Sequence, residues 1–159
     1  MSTLPPLLPY LTVSDGAAAI EFYTKAFGAE EHERHHMPGS TKIMNARLSI
    51  NGGMFMLADD FSKEFGMKCV TPEALGGSPV TLHLELTNDV DAAFAKAVTA
   101  GASVKMLLAD QFWGDRYGQV MDPFGHTWSL GQKMETLTTA QVEEAAKMGF
   151  KTEPGSRQP

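Results

Sequence analysis

The chain has 159 residues, 43% of them hydrophobic, which suffices for one compact domain or for two small modules that share a core. Its 13 basic and 19 acidic side chains give a formal net charge of -6, which argues against nucleic acid or an anionic membrane as a partner. Cys69 is the only cysteine, so an intramolecular disulfide and a thiolate metal cluster are both excluded. Since no secretory signal and no apolar run near the roughly 20 residues of a membrane span is visible, we expect a soluble cytoplasmic protein.

The first half of the chain predicts a strand, a helix and three further strands. Apolar residues at helical spacing predict a helix over 17–27, with Ser14-Asp15 at its start and Gly28 as its stop. Asn51-Gly52 predicts a hairpin turn. Residues 59–77 show no clear periodicity and are expected to form the longest loop. The predicted strands of this half are 7–13, 29–36, 42–50 and 54–58.

The second half repeats this order. A helix is predicted over 89–100 and ends at Gly101, between strands over 79–86 and 103–107. The segment 111–130 then carries two tryptophans, two phenylalanines and a tyrosine, and its Asp122-Pro123-Phe124-Gly125 turn predicts an aromatic hairpin. Such a hairpin suits either a pocket wall or an ordinary core. The final predicted helix follows the capping residue Thr138.

The two halves also share one register. Three pairs of corresponding residues are each 73 positions apart: Val13 and Leu86, Gly28 and Gly101, Leu57 and Leu130. A constant offset over a whole half indicates an internal duplication of a βαβββ unit. We therefore expect the chain to divide as follows: a first module over 7–58, a connecting loop over 59–78, a second module over 79–131 and a C-terminal helix over 138–148.

Strand alternation assigns side chains to opposite faces of the predicted sheet. Leu82, Leu84 and Leu86 are expected to face the helices, which turns Thr81, His83 and Glu85 to the other side. The same parity places Tyr10 and Met56 with this polar set. Such a mixed surface is typical of a polar-lined cavity and is also compatible with solvent.

His83 and Glu85 lie two residues apart on one strand face, which leaves three roles open. The pair could orient a ligand by hydrogen bonds, serve a structural purpose, or act as a general base with its carboxylate or as part of a metal site. Phe112 and Trp113 could stack a planar ligand or fill the core. Arg116 could bind an anionic group or form an internal ion pair with Asp115 or Glu85.

Four segments within about residues 7 to 131 carry a family resemblance: PYLTVSDGAAAIEFYTKAFGAE, MFMLADD, TLHLELTNDVDAAFAKAVTAGA and QFWGDRYGQVMDPFGHTWSL. Together with the doubled unit they resemble the vicinal oxygen chelate superfamily, which includes glyoxalase I, extradiol dioxygenases and bleomycin-resistance proteins, and within it the PhnB-like group most closely. The resemblance implies an α+β fold in which two tandem modules form a curved mixed sheet around a cavity, with helices outside. It also implies a homodimer.

Catalytic members of that superfamily hold a divalent metal with His, Glu or Gln from the first and last strands of each module. The resemblance places these positions at Leu8, Met56, Thr81 and Ser129. Leucine and methionine cannot bind a hard divalent ion, and two hydroxyls alone are poor ligands. We therefore expect no metal and no other cofactor.

The sequence thus favours a metal-free protein that binds a small molecule and sequesters an aromatic or amphipathic compound, as bleomycin-resistance proteins do. One alternative is an enzyme, either a metal-dependent, glyoxalase-like lyase or isomerase or an acid/base catalyst that uses His83 and Glu85. Another is a structural or regulatory dimer without a ligand. The candidate ligand-binding residues are Tyr10, Met56, His83, Glu85, Phe112, Trp113 and Arg116.

Overall fold

A computed structural model of the protein describes residues 4–149. The strands are β1 (Tyr10–Val13), β2 (Glu30–His36), β3 (Ile43–Ile50), β4 (Gly53–Asp59), β5 (Thr81–Leu86), β6 (Ser103–Asp110), β7 (Asp115–Met121) and β8 (Thr127–Lys133). The helices are α1 (Gly16–Phe27), α2 (Pro72–Leu75), α3 (Val90–Ala100) and α4 (Thr139–Gly149). The order strand, helix, three strands occurs twice, which confirms the predicted two-module α+β fold.

The eight strands form two separate four-stranded sheets, with orders β1-β4-β3-β2 and β5-β8-β7-β6. In each sheet the first strand of the module pairs in parallel with the last one, and the other pairings are antiparallel. The first strand of each module therefore lies at a sheet edge, and neither sheet is closed.

The helices α1 and α3 begin and end where local chemistry predicts. The Asp15 carboxylate accepts a hydrogen bond from the amide of Ala18 at 2.9 Å, and Asp89 does the same for Ala92 at 3.2 Å. Gly28 and Gly101 end the two helices with φ of 68° and 123°, conformations that favour glycine.

One hydrophobic core serves both modules. Helices α1 and α3 pack against each other, and the helix-facing side chains of both sheets join them. Tyr23 of α1 lies at the centre, with its ring 5.3 Å from Trp128 and 5.5 Å from Phe55. These aromatic residues come from both modules, so the modules cannot separate without exposing this core.

Asp122 ties the second module to the first through a buried carboxylate. It is 2% exposed and accepts hydrogen bonds from the Tyr23 hydroxyl at 2.7 Å and the Trp128 indole nitrogen at 2.9 Å. The backbone amides of Phe124 and His126 donate to its other oxygen. His126 also donates from Nε2 to the carbonyl oxygen of Thr12 at 2.9 Å. The turn at Asp122-Pro123-Phe124-Gly125 thus connects the two modules through hydrogen bonds.

The expectation that residues 59–77 form a loop is wrong in one respect. The segment contains helix α2, with the Thr71 side chain at its N-cap, Pro72 in its first turn and Gly76 at its end. These are the ordinary signals of a helix, but a single turn has no apolar periodicity to reveal it. Within residues 4–149, none of the helices is long and apolar enough to cross a bilayer.

Candidate functional site

His83 is held at both ring nitrogens on the open face of the second sheet, meaning the face turned away from α3. Its Nδ1 lies 2.9 Å from the hydroxyl of Ser129, because the parallel register of β5 and β8 sets these two residues opposite each other. Its Nε2 lies 3.0 Å from a carboxylate oxygen of Glu85, two residues along the same strand. The three side chains form one connected hydrogen-bonded unit.

The hydrogen-bond partners decide where the imidazole proton is. An ionised carboxylate only accepts hydrogen bonds, so Nε2 of His83 carries the proton that is donated to Glu85. In the tautomer with its proton on Nε2, the ring accepts a hydrogen bond from the Ser129 hydroxyl at Nδ1. Ser129 is 2% exposed, whereas the side chains of His83 and Glu85 are 45% and 57% exposed. The buried serine therefore anchors an accessible histidine and carboxylate.

Aromatic rings continue from this unit across the second sheet. The Tyr117 ring stacks on His83 with centroids 6.0 Å apart, and Trp113 meets Tyr117 edge-on at 5.7 Å. Phe112 in turn lies 5.0 Å from Trp113. Gly131 makes room for the stack, since a Cβ there would lie 2.9 Å from Cε1 of His83.

A cleft of about 630 Å³ lies between the edge strand β5 and the first module. Its second wall is formed by residues 7–9 and the start of β4. The apolar lining includes Leu7, Leu8, Phe55, Val80, Leu82 and Trp128. The polar lining consists of Asn51, Thr81, His83 and Glu85. The cleft therefore combines mostly apolar walls with a few polar groups at one side.

The other predicted ligand-binding residues do not line this cleft. Tyr10 and Met56 are paired on the open face of the first sheet. There Asn45 donates to the Tyr10 hydroxyl at 3.1 Å and to the Met56 sulfur at 3.6 Å, while Tyr10 donates to the carbonyl oxygen of Met44. Phe112 and Trp113 reach His83 only through Tyr117. The structure thus brings His83 and Glu85 together in the cleft and leaves the other members of the set outside it.

Arg116 is engaged on the helix side of the second sheet. Its guanidinium donates to Asp91 of α3 at 2.7 and 2.8 Å and to Asp110 at 3.0 Å. These hydrogen bonds raise the pKa of Arg116 above its usual range and lower the pKa of Asp91. The internal ion pair therefore forms, but the named partners Asp115 and Glu85 are wrong. The strand turns Arg116 toward α3, and spacing along the hairpin does not reveal this contact.

The positions at which catalytic members of the resembled superfamily hold a metal do not suit one here. Leu8 and Thr81 line the cleft. The Met56 sulfur accepts a hydrogen bond from Asn45, and the Ser129 hydroxyl is hydrogen-bonded to His83. A leucine, a thioether and two hydroxyls do not form a site for a hard divalent ion. Within residues 4–149, no three His, Cys, Asp or Glu side chains cluster as metal ligands would.

Two residues that hold or accommodate the His83 ring were not among the predicted ligand-binding residues. The resemblance placed Ser129 at a metal-ligand position, and its contact with His83 follows from the parallel pairing of β5 with β8. Gly131 gave no signal in isolation. Its role depends on the ring of His83 two strand positions away, which only a three-dimensional register supplies.

Fold and cleft together define a two-module α+β protein with a concave site of small-molecule size. Residues 4–130 match the Glyoxalase/Bleomycin resistance protein/Dioxygenase superfamily, and the chain belongs to this family. An uncharacterized protein of Mycobacterium tuberculosis is 51% identical over 142 residues, which cover 89% of this chain and 82% of the relative.

Solved structures agree with this assignment. The X-ray structure of a gene product from Arabidopsis thaliana is 33% identical, covers 80% of this chain and 98% of its own, and has a TM-score of 0.61. A PhnB protein from Bacillus cereus, described as a putative 3-demethylubiquinone-9 3-methyltransferase, shares the fold with a TM-score of 0.62 at 19% identity, covering 80% of this chain and 99% of its own. The predicted resemblance to the superfamily is confirmed, and the PhnB protein shares its fold.

Proposed function

We propose that the protein binds a small aromatic or amphipathic molecule in the cleft beside His83, without a metal, and that it does so as a homodimer. The observation that carries the proposal is the cleft itself. Its volume of about 630 Å³ falls within the range of roughly 300–1,000 Å³ that is common for small-molecule sites. Apolar walls with a few convergent polar groups are the usual composition of such sites.

The hydrogen bonds of His83 support ligand orientation over general acid/base catalysis. A general base needs an unprotonated nitrogen within reach of the substrate. The unprotonated nitrogen of His83 is Nδ1, which faces the buried hydroxyl of Ser129, and the exposed Nε2 already donates its proton to Glu85. Proton transfer directly between this ring and a ligand would first require one of these two contacts to break, and Ser129, the hydroxyl that the ring could activate as a nucleophile, is only 2% exposed.

A variant that fills the cleft tests the binding proposal. Val80 lines the cleft and is 61% exposed, so the larger side chain of Val80→Trp can fill the cleft without disturbing the packing of the core. We expect this change to weaken the binding of aromatic amphiphiles, followed by tryptophan fluorescence or calorimetry, by about 10-fold or more, or about 1.4 kcal/mol. Val104→Trp on β6, at a position 44% exposed and outside the cleft lining, is the matched control. Equal binding by both variants would rule out the cleft as the site.

Metal dependence and assembly are tested on the same preparation. We expect ligand binding to be unchanged by chelation with EDTA, and we expect no lactoylglutathione formation with or without added Ni²⁺ or Zn²⁺. Stoichiometric metal that disappears in a His83→Ala variant would contradict the metal-free part of the proposal. Native mass spectrometry should give the mass of two chains, and a monomer with full binding activity would contradict the dimer.

A further inference from the structure

The charge distribution of the cleft is one-sided. Glu85 is the only carboxylate among the described lining residues, and neither lysine nor arginine lines the cleft in that part of the chain. Apart from His83, the remaining lining side chains are apolar or carry no formal charge. A ligand that fills this space therefore meets a hydrophobic surface with one anionic point.

The Glu85 carboxylate is held in place through one of its oxygens, and its other oxygen is available to accept a hydrogen bond. One oxygen, Oε2, accepts the hydrogen bond from Nε2 of His83 at 3.0 Å, and Ser129 fixes that ring from behind. Within residues 4–149, the other oxygen, Oε1, accepts no hydrogen bond. Carboxylates can accept several hydrogen bonds, and bonds to ionised partners are stronger than bonds between neutral groups. Since the side chain is 57% exposed, Oε1 is accessible to a ligand.

The charge of the whole protein acts in the same direction. A net charge of -6 creates a negative potential that concentrates cations and repels anions near the surface. We infer that the cleft selects a ligand with an apolar body and one positively charged nitrogen, such as an alkyl or aryl ammonium group, and that Glu85 binds this nitrogen. The inference rests on the proposed binding function and adds the chemical class of the ligand.

Three probes that share one tail and differ in the head group test this selection. Octylammonium, octanol and octanoate carry a positive, neutral and negative head at neutral pH. We expect the wild-type protein to bind octylammonium about 10-fold more tightly than octanol, as one hydrogen bond to a charged partner provides, and to bind octanoate most weakly. Binding is measured from the ¹H–¹⁵N chemical shifts of residues 80–85 and from tryptophan fluorescence.

Glu85→Gln keeps the shape of the side chain and removes its charge. In this variant the preference for octylammonium over octanol should fall to about 2-fold or less, with the affinity for octanol unchanged. Glu143→Gln on α4 is the matched control because it changes the net charge equally at an exposed position outside the cleft lining. It should retain the wild-type preference, which separates local recognition from the overall field.

The outcomes distinguish the inference from the binding proposal beneath it. If octanol binds as tightly as octylammonium, or if the preference survives in Glu85→Gln, the charge selection is overturned while the cleft remains a binding site. If the preference is lost equally in Glu143→Gln, it belongs to the net charge and not to Glu85. If none of the three probes shifts the resonances of residues 80–85, both the inference and the binding function fail.

Discussion

The two modules share a backbone plan and differ in the side chains placed on it. The agreement extends to the helix starts. The carboxylate of Asp59 at the end of β4 accepts a hydrogen bond from the amide of Gly16 at 2.8 Å. The side chain of Gln132 near the end of β8 accepts one from the amide of Val90 at 3.0 Å. Asp59 and Gln132 are 73 residues apart, the offset of the duplication. Duplication thus preserved the way in which the last strand holds its helix.

The open faces of the two sheets have diverged at the same offset. Tyr10 and Met56 of the first module correspond to His83 and Ser129 of the second, each pair 73 residues apart. The first pair shares only Asn45 as a hydrogen-bond partner, whereas the second pair is joined directly. The difference teaches that the second module now supplies most of the polar groups of the cleft, whereas the first module supplies mainly an apolar wall.

Replacing the buried carboxylate of Asp122 should have the largest effect on stability. Its counterpart in the first module is Ser49, which contacts His32 on the sheet surface. Asp122→Ala leaves the Tyr23 hydroxyl, the indole of Trp128 and two amides without their acceptor, so we expect a loss of about 3–5 kcal/mol in the free energy of unfolding. Ser49→Ala should lose about 0.5 kcal/mol or less. Urea denaturation of both variants measures the contrast.

Similar losses in these two variants would contradict the assignment of Asp122 as the link between modules. Tyr23→Phe provides a second control because it removes one donor and keeps the ring. This variant should lose about 1 kcal/mol, which is the net contribution of a single hydrogen bond.

The side chains that hold the starts of α1 and α3, Asp59 and Gln132, also differ between the modules, and we expect the next largest effects there. Asp59 accepts amides from both Gly16 and Ile43, at 2.8 and 2.6 Å, and is 8% exposed. Gln132 accepts only the amide of Val90 through its side chain. We expect Asp59→Ala to lose about 2 kcal/mol and Gln132→Ala about 1 kcal/mol in urea denaturation. Equal losses would mean that the second bond of Asp59 adds nothing.

The pH dependence of stability should report the cross-module link in alkaline solution. Burial, together with the charge of Asp122 and the hydrogen bond to it, raises the pKa of Tyr23 well above the ordinary 10.0. The unfolded chain therefore loses this proton first, so the stabilising contribution is complete below pH 10 and declines as pH rises further. Relative to Tyr23→Phe, the wild type should lose about 1 kcal/mol per pH unit above 10.

Urea midpoints of both proteins between pH 9 and 11 provide this measurement. Using the difference between the two proteins removes the contribution of the other tyrosines and the lysines. Parallel curves for wild type and Tyr23→Phe would show that Tyr23 titrates alike in the folded and unfolded chain.

The sequence predicted features that depend on local chemistry and on the repeat. The glycines at the ends of α1 and α3, the Asn51-Gly52 turn and the alternation of β5 are local signals, and the structure has each of them. The fixed offset revealed the duplication because corresponding residues keep their spacing whatever their side chains do. These parts of the fold required no knowledge of distant partners.

The features that escaped prediction depend on long-range partners. Asp122 meets Tyr23 across 99 residues, Arg116 meets Asp91 across 25, and Ser129 meets His83 across 46. Each contact requires the packing of a helix, α1 or α3, against the second module's strands and turns, or the order of strands in a sheet. The His83–Glu85 pair was found because both lie on one strand, but its anchor lies on another.

Gly131 offers the finest comparison between the modules, because its counterpart in the first module is Ala58. Gly131→Ala would place a Cβ 2.9 Å from Cε1 of His83 and 3.6 Å from the Tyr117 ring. Because His83 is half exposed, the ring can turn away, and we expect the free energy of unfolding to change by less than about 1 kcal/mol. The turned ring loses Ser129 and Glu85, so the preference for octylammonium over octanol should fall toward that of Glu85→Gln. Ala58→Gly, which should lose about 0.5–1 kcal/mol and leave that preference intact, is the control. An unchanged preference in Gly131→Ala would mean that the fixed position of His83 does not matter for recognition.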